Sequence, residues 1–183
     1  MEAFLLLTVG IHAVLLSIGL SKKPEPSKSD ESTAVYLHHG MIEADSLKIA
    51  GKSGLFSLIP QSTDSFDQGR WSGNQHLFGQ TTQEGDSVSF FLTGKGKHRL
   101  IVYLTRANDY GIVQFFLNGK TVGAPINLWS IDPLVFSTGP LDLGEVELGA
   151  GENQLQLKIV GRDKSNAPPH YQFGFDGIKL VRL

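Results

Sequence analysis

The pattern that most constrains this chain begins at Met41, where apolar and polar residues alternate one for one in short segments separated by glycine, asparagine or aspartate. Leu155, Leu157 and Ile159 alternate with Gln154, Gln156 and Lys158, and Val146 and Leu148 alternate with Glu145 and Glu147. Successive side chains of a strand point to opposite faces, so each segment is expected to bury one face and wet the other. Ser87–Leu92, Arg99–Thr105, Ile112–Leu117, Leu141–Leu148 and Gln154–Val160 are all short, rich in β-branched or aromatic residues, and bounded by turn formers. Asn118-Gly119, between Phe-Phe-Leu and Lys-Thr-Val, marks a tight hairpin, because a type I′ turn needs positive φ at both central residues. Ile178–Leu183 predicts a last strand, and no ten-residue stretch has a helical period. An all-β fold, a two-sheet antiparallel β-sandwich or a barrel, is therefore expected over residues 41–183.

Composition narrows the function. Sixteen Lys plus Arg against eighteen Asp plus Glu leave a net charge of −2, with no basic excess to neutralise phosphates, so no nucleic-acid partner is expected. The absence of cysteine removes thiol nucleophiles, thiolate zinc sites and disulfides. Ahead of the alternating region, Ala3–Leu20 is an uncharged apolar run apart from His12, and a polar stretch rich in Ser, Lys, Pro and Glu follows it. Residues 1–20 read as a signal peptide or membrane anchor and residues 21–40 as a polar linker. Glu2 offsets the N-terminal amine and Lys22 and Lys23 charge the far flank, while Ser17, Gly19 and Ser21 offer cleavage positions. An extracytoplasmic location follows, with membrane contact only through this segment.

Two groups of residues could carry chemistry. Ile42-Glu43-Ala44-Asp45 is expected to open the first strand with Glu43 and Asp45 on the same side, and Asp176 begins the last strand. First and last strands commonly adjoin in a sandwich. The three carboxylates are then either solvated surface groups or ligands for a hard cation such as calcium. Aromatic and polar residues gather in the segments between strands: Trp71, Asn74, Arg106, Asp109, Tyr110 and Trp129. Aromatic faces stack on the C–H faces of a sugar while Asn, Asp and Arg pair with its hydroxyls, although Trp and Tyr at a sandwich end can equally plug the core. A structural or protein-interaction module is the alternative to a glycan binder. Catalytic signals are weak: there is no nucleophile elbow, no His-Glu-x-x-His and no phosphate loop, and Glu145 and Glu147 occupy the wet side of their strand.

The opening Ile42-Glu43-Ala44-Asp45 and the closing Phe175-Asp176-Gly177-Ile178 resemble the first and last strands of family 6 and family 35 carbohydrate-binding modules, which are galactose-binding-like jelly rolls. Trp71-Ser72-Gly73, the run from Arg106 to Gln114, Leu117-Asn118-Gly119-Lys120, Thr138–Gly144 and Tyr171–Asp176 more closely resemble the module C-terminal to the catalytic domain in bacterial proteins with domain of unknown function 2961, grouped with glycoside hydrolases. The resemblance implies a galactose-binding-like jelly roll that binds a polysaccharide or other glycan without catalysing its cleavage, an accessory to a separate glycoside hydrolase. It also implies a structural calcium on Glu43, Asp45 and Asp176. Asp45 stands where those modules carry Glu, and Gly177 where they carry an aromatic residue.

Overall fold

The computed structural model describes residues 38–54, 57–66 and 70–183. The expected signal or anchor and residues 21–37 of the linker lie outside the described residues. Among the described residues no helix is long and apolar enough to cross a membrane. The strands are β1 (Ile42–Glu43), β2 (Ile49–Ser53), β3 (Ser57–Ser62), β4 (Gln75–Gln80), β5 (Ser87–Thr93), β6 (Gly96–Arg106), β7 (Ile112–Leu117), β8 (Lys120–Asn127), β9 (Phe136–Leu148), β10 (Glu152–Gly161) and β11 (Phe173–Arg182). They form two antiparallel sheets, one in the order β3-β4-β11-β6-β9 with β1 also on β11, the other in the order β2-β5-β10-β7-β8. This is a two-sheet antiparallel β-sandwich.

Alternation decides which side chains meet between the sheets. Leu155, Leu157 and Ile159 of β10 are fully buried, flanked by Val88, Phe90 and Leu92 of β5 and by Val113, Phe115 and Leu117 of β7. Leu100, Val102 and Leu104 of β6 and Phe173, Phe175 and Ile178 of β11 face them from the other sheet. Phe175 lies between Phe90 and Phe115 at ring distances of 5.6 and 5.9 Å, joining the sheets at their centre. Asn118 and Gly119 adopt φ of 50° and 80°, as the β7–β8 hairpin requires. Proline interrupts the edge strands β3, β8 and β9 at Pro60, Pro125 and Pro140, which blunts them against pairing with another chain.

One irregularity positions a functional group. Strand β11 pairs with β4 over Phe173–Phe175 and with β1 at Gly177 and Ile178, so two short strands share one side of it. Where they change over, the register with β6 shifts between Phe175 and Gly177, leaving Asp176 as the extra residue of a bulge. Gly177 is required there: a Cβ would lie 2.5 Å from the carbonyl oxygen of Ile42 and 2.6 Å from Met41. That close approach of β1 accounts for glycine where the resembling modules carry an aromatic residue.

Candidate functional site

Three regions hold the residues singled out from the sequence. The first surrounds Ser72. Glu43 ends β1, but Asp45 belongs to a 3-10 turn, Ala44–Ser46, rather than to a continuing strand. The expectation of two carboxylates on one strand face is corrected here, because the Ser46 hydroxyl donates to the Glu43 carbonyl at 2.8 Å and the Leu47 N–H to that of Ala44. The turn still brings the acids toward Asp176. The Ser72 backbone N–H donates to both Asp176 oxygens, at 3.2 and 3.3 Å, while its hydroxyl donates to Glu43 and the Gln75 amide donates to Asp45.

Burial pushes the Asp176 carboxyl up to about 8; the Ser72 N–H opposes this, and the charges of Glu43 and Asp45 add to it. The donor chemistry, carboxylate oxygens on one buried and two less buried acids, suits a hard cation. The spacing is looser: among the described residues no three His, Asp or Glu side chains gather tightly enough to hold a metal ion as they stand. Glu43 and Asp176 meet at Ser72, whereas Gln75 draws Asp45 aside. A cleft of about 260 Å³ opens beside this centre, lined by His38, Arg70, Tyr103, Ser137, Thr138, Gly139 and Pro140.

The second region covers the outer face of the six-stranded sheet. His76 and Phe78 of β4 and Thr105 of β6 face away from the partner sheet, since Leu77, Leu104 and Phe175 face inward. They are nonetheless buried, because Trp71 and Tyr110 fold over them. Trp71 donates its indole N–H to Thr105 Oγ1 at 2.7 Å, His76 Nδ1 lies 2.7 Å from the same oxygen, and His76 Nε2 lies 2.8 Å from Gln61 Oε1. One assignment satisfies every group: the indole donates to Thr105, the Thr105 hydroxyl donates to Nδ1, and Nε2–H donates to Gln61. The imidazole is then neutral, consistent with burial lowering its pKa to about 4. Phe78 stacks on Tyr110 at 6.1 Å and Trp71 meets His76 edge-on at 6.5 Å. Trp71 is 7% and Tyr110 3% exposed, so neither offers a ring face to a sugar. The role expected of these two rings passes to support of the covering loops.

The third region is the end formed by residues 106–111, 127–135 and 162–172. Trp129 bridges Ala107 and stays half-buried, outside the core and the side chains packed on it. One residue before Ala107, Arg106 Nε is buried without a hydrogen-bond partner, the one such side-chain atom among the described residues. Asp109 is part-buried and its pKa is raised by that burial, against its own backbone hydrogen bond and His170. Asn166, not among the residues expected to carry the site, is 1% exposed and ties the loops together, donating to the carbonyls of Tyr110 and His170 at 3.1 and 2.9 Å. Its place in Ser165-Asn166-Ala167-Pro168-Pro169 offers a signal, since Asn among turn formers commonly bonds nearby backbone through its side-chain amide. Asn74 is exposed at the start of β4, next to Gln75 and the acids, and does not join Arg106, Asp109 and Trp129.

No family model matches the chain, and no curated protein matches it in sequence. Among solved structures, a Paenibacillus xanthan lyase is similar over 78% of this chain and 13% of its own, with 21% identity and a TM-score of 0.64. A family 35 carbohydrate-binding module from an environmental isolate is similar over 77% of this chain and 91% of its own, with 12% identity and a TM-score of 0.49. A family 36 carbohydrate-binding module in complex with calcium and xylotriose is similar over 77% of this chain and 98% of its own, with 17% identity and a TM-score of 0.45. The likeness to the lyase is one of fold, and this chain spans a small fraction of that protein's length.

Proposed function

We propose that this protein is a non-catalytic glycan-binding module, carried outside the cytoplasm by Ala3–Leu20 either as a cleaved signal or as a tether. The observation that carries this reading is the end-loop surface: Trp129 remains outside the core, bridged to Ala107, whose loop also carries Arg106 and Asp109. Trp129 supplies an aromatic face, and Arg106 and Asp109 supply the donor and acceptor that a hydroxyl-rich ring needs. Asn74 contributes from the acid centre instead. A shallow end-loop surface makes few contacts and orders loops on binding, so modest affinity is expected.

Non-catalytic action is supported by the placement of the acids. Glu145 and Glu147 line a groove of about 230 Å³ with Lys120 and Asn118, but both are exposed and both rise from one strand. Glycoside hydrolysis needs two carboxyls flanking the scissile bond, one of them held protonated by its surroundings. Two wet carboxylates on one wall provide neither condition.

Glu43, Asp45 and Asp176 would hold a structural calcium, which would supply the positive charge that the buried Asp176 carboxyl lacks. If calcium binds the folded state alone, excess chelator lowers the melting temperature and added calcium restores it; an unchanged melting curve contradicts the calcium assignment. The glycan reading is tested by titration calorimetry against soluble polysaccharides. Heat of binding that Trp129→Ala reduces supports it, and absence of binding to every polysaccharide favours the interaction-module reading, in which Trp129 meets a protein.

A further inference from the structure

Trp129 is held in place by more than its own packing. Leu128 and Ser130 on either side of it are buried, whereas Trp129 is half-buried and Ile131 exposed, so the segment is extended and turns Trp129 and Ile131 outward. Its backbone runs beside Ala107, whose N–H donates to the Leu128 carbonyl at 3.0 Å and whose carbonyl accepts the Ser130 N–H at 3.0 Å. Those bonds leave the Trp129 N–H facing the other way, where Asn127 Oδ1 accepts it at 3.0 Å.

An Asn that bonds the N–H two residues on is by itself an ordinary turn device. What sets Asn127 apart is the other half of its amide: Nδ2 donates to Asp163 Oδ2 at 2.6 Å, across 36 residues of chain. Both ends of that bond are anchored. Asn127 ends β8 in register with Ile112 of β7. Asp163 Oδ1 accepts the Ser165 N–H at 2.8 Å, and its backbone carbonyl accepts the N–H of Asn166, the residue whose amide is fixed to the Tyr110 carbonyl. The Ser165 N–H and the Asn127 amide hold the Asp163 carboxyl below the usual carboxylate range, so it stays ionised and its bond to Asn127 is charge-assisted.

We infer that Asn127 and Asp163 are positioning residues of the glycan site: their bond latches the segment carrying Trp129 to the loop of residues 162–172 and fixes the direction in which the indole meets a sugar ring. The inference rests on the glycan-binding reading, in which Trp129 supplies the aromatic face. Stacking depends on how two planes face each other, and a ring already held loses less freedom on binding than one that must be ordered.

The test exchanges donor and acceptor. Asn127→Asp alone sets two carboxylates against each other, and Asp163→Asn alone leaves one oxygen for two N–H donors. Asn127→Asp together with Asp163→Asn restores each bond with the direction of the central one reversed. The carboxylate at position 127 accepts from the Trp129 N–H and from the amide at position 163, whose oxygen keeps the Ser165 N–H. Affinity electrophoresis of the full chain in gels containing soluble xylan, galactomannan or polygalacturonate identifies a polymer that retards wild type. In that gel each single variant should bind roughly tenfold more weakly, and the double variant should bind like wild type. Asn127→Ala, which removes the latch without opposing charges, should weaken binding to the same extent, so the outcome does not hang on one misfolded variant. Iodide quenching of tryptophan fluorescence in the free protein reads Trp129, because Trp71 is buried; it should rise in the single variants and return in the double variant. Single variants that bind like wild type, or a loss that the double variant does not recover, overturn the latch and leave glycan binding standing. Quenching unchanged in the single variants overturns the positioning of the ring. Wild type that no polymer retards overturns the glycan reading and the latch with it.

Discussion

The two sheets of this sandwich treat their outer faces in opposite ways. On the six-stranded sheet, His76, Phe78 and Thr105 are roofed by Trp71 and Tyr110, and the indole N–H, the Thr105 hydroxyl and both imidazole nitrogens have hydrogen-bond partners. On the five-stranded sheet, Phe91, Phe116, Gln154 and Gln156 are left partly open in the described residues. Aromatic residues are present in both places, yet only the second set can stack on a ligand. Aromatic content in the non-strand segments therefore points less to recognition than to the need to roof a sheet face, and recognition is to be sought where rings stay half-exposed.

The contrast makes graded predictions. The largest effect is expected on the covered face: Trp71→Ala removes the roof and the indole donor of Thr105, and should cost roughly 3–5 kcal/mol in chemical denaturation. A cost near that of a surface substitution would show that the roof carries no load. The next effect is a pH dependence. His76 has a folded pKa near 4 against an ordinary 6.5, so below pH 6.5 the unfolded chain takes up a proton that the folded chain refuses. Its contribution is fully present above pH 6.5 and declines as pH falls toward 4, a loss of roughly 3 kcal/mol. Unfolding curves between pH 7 and 4 should therefore be steeper in pH for wild type than for His76→Gln, and equal slopes would mean that the imidazole is protonated in place.

Smaller effects sharpen the comparison. Gly174 lies under the same roof, where an added Cβ would be 2.8 Å from Thr105 Cβ and 2.9 Å from the His76 ring, so Gly174→Ala should cost about 1–3 kcal/mol through crowding. Phe116→Ala on the open face should cost about 1 kcal/mol or less. If Phe116→Ala destabilised the protein as much as Gly174→Ala, the two faces would not differ in cover.

Much of this architecture was legible from the alternating pattern. Ile112–Leu117 coincides with β7, and the predicted segments at Ser87, Arg99, Leu141 and Gln154 each fall inside an observed strand, because burying alternate residues is a demand the sequence states openly. Strand β11 begins at Phe173, earlier than alternation suggests, since Gly174 and Gly177 are glycine for want of space and read as turn residues. The acids at Glu43 and Asp176 come together as expected, through β1 pairing with β11. Asp45 left the strand because the Ser46 hydroxyl holds a turn, a local preference that hydrophobic period does not report. Burial of Trp71 and Tyr110 was undecidable from composition, because the same rings serve a roof or a binding site according to what lies beneath them. Ser72 carries no signal of its role in the sequence for a similar reason: that role comes from contacts 29 and 104 residues away.

The central claim is that this sandwich binds glycan on surfaces where its rings remain exposed and leaves the glycan intact. Incubation of the full chain with a panel of soluble polysaccharides, followed on the same samples by affinity electrophoresis and by assay of newly formed reducing ends, tests it most directly. Retardation by at least one polymer, weakened by Trp129→Ala and accompanied by no new reducing ends, is the predicted result. Release of reducing ends, or migration unaffected by every polymer, would contradict it.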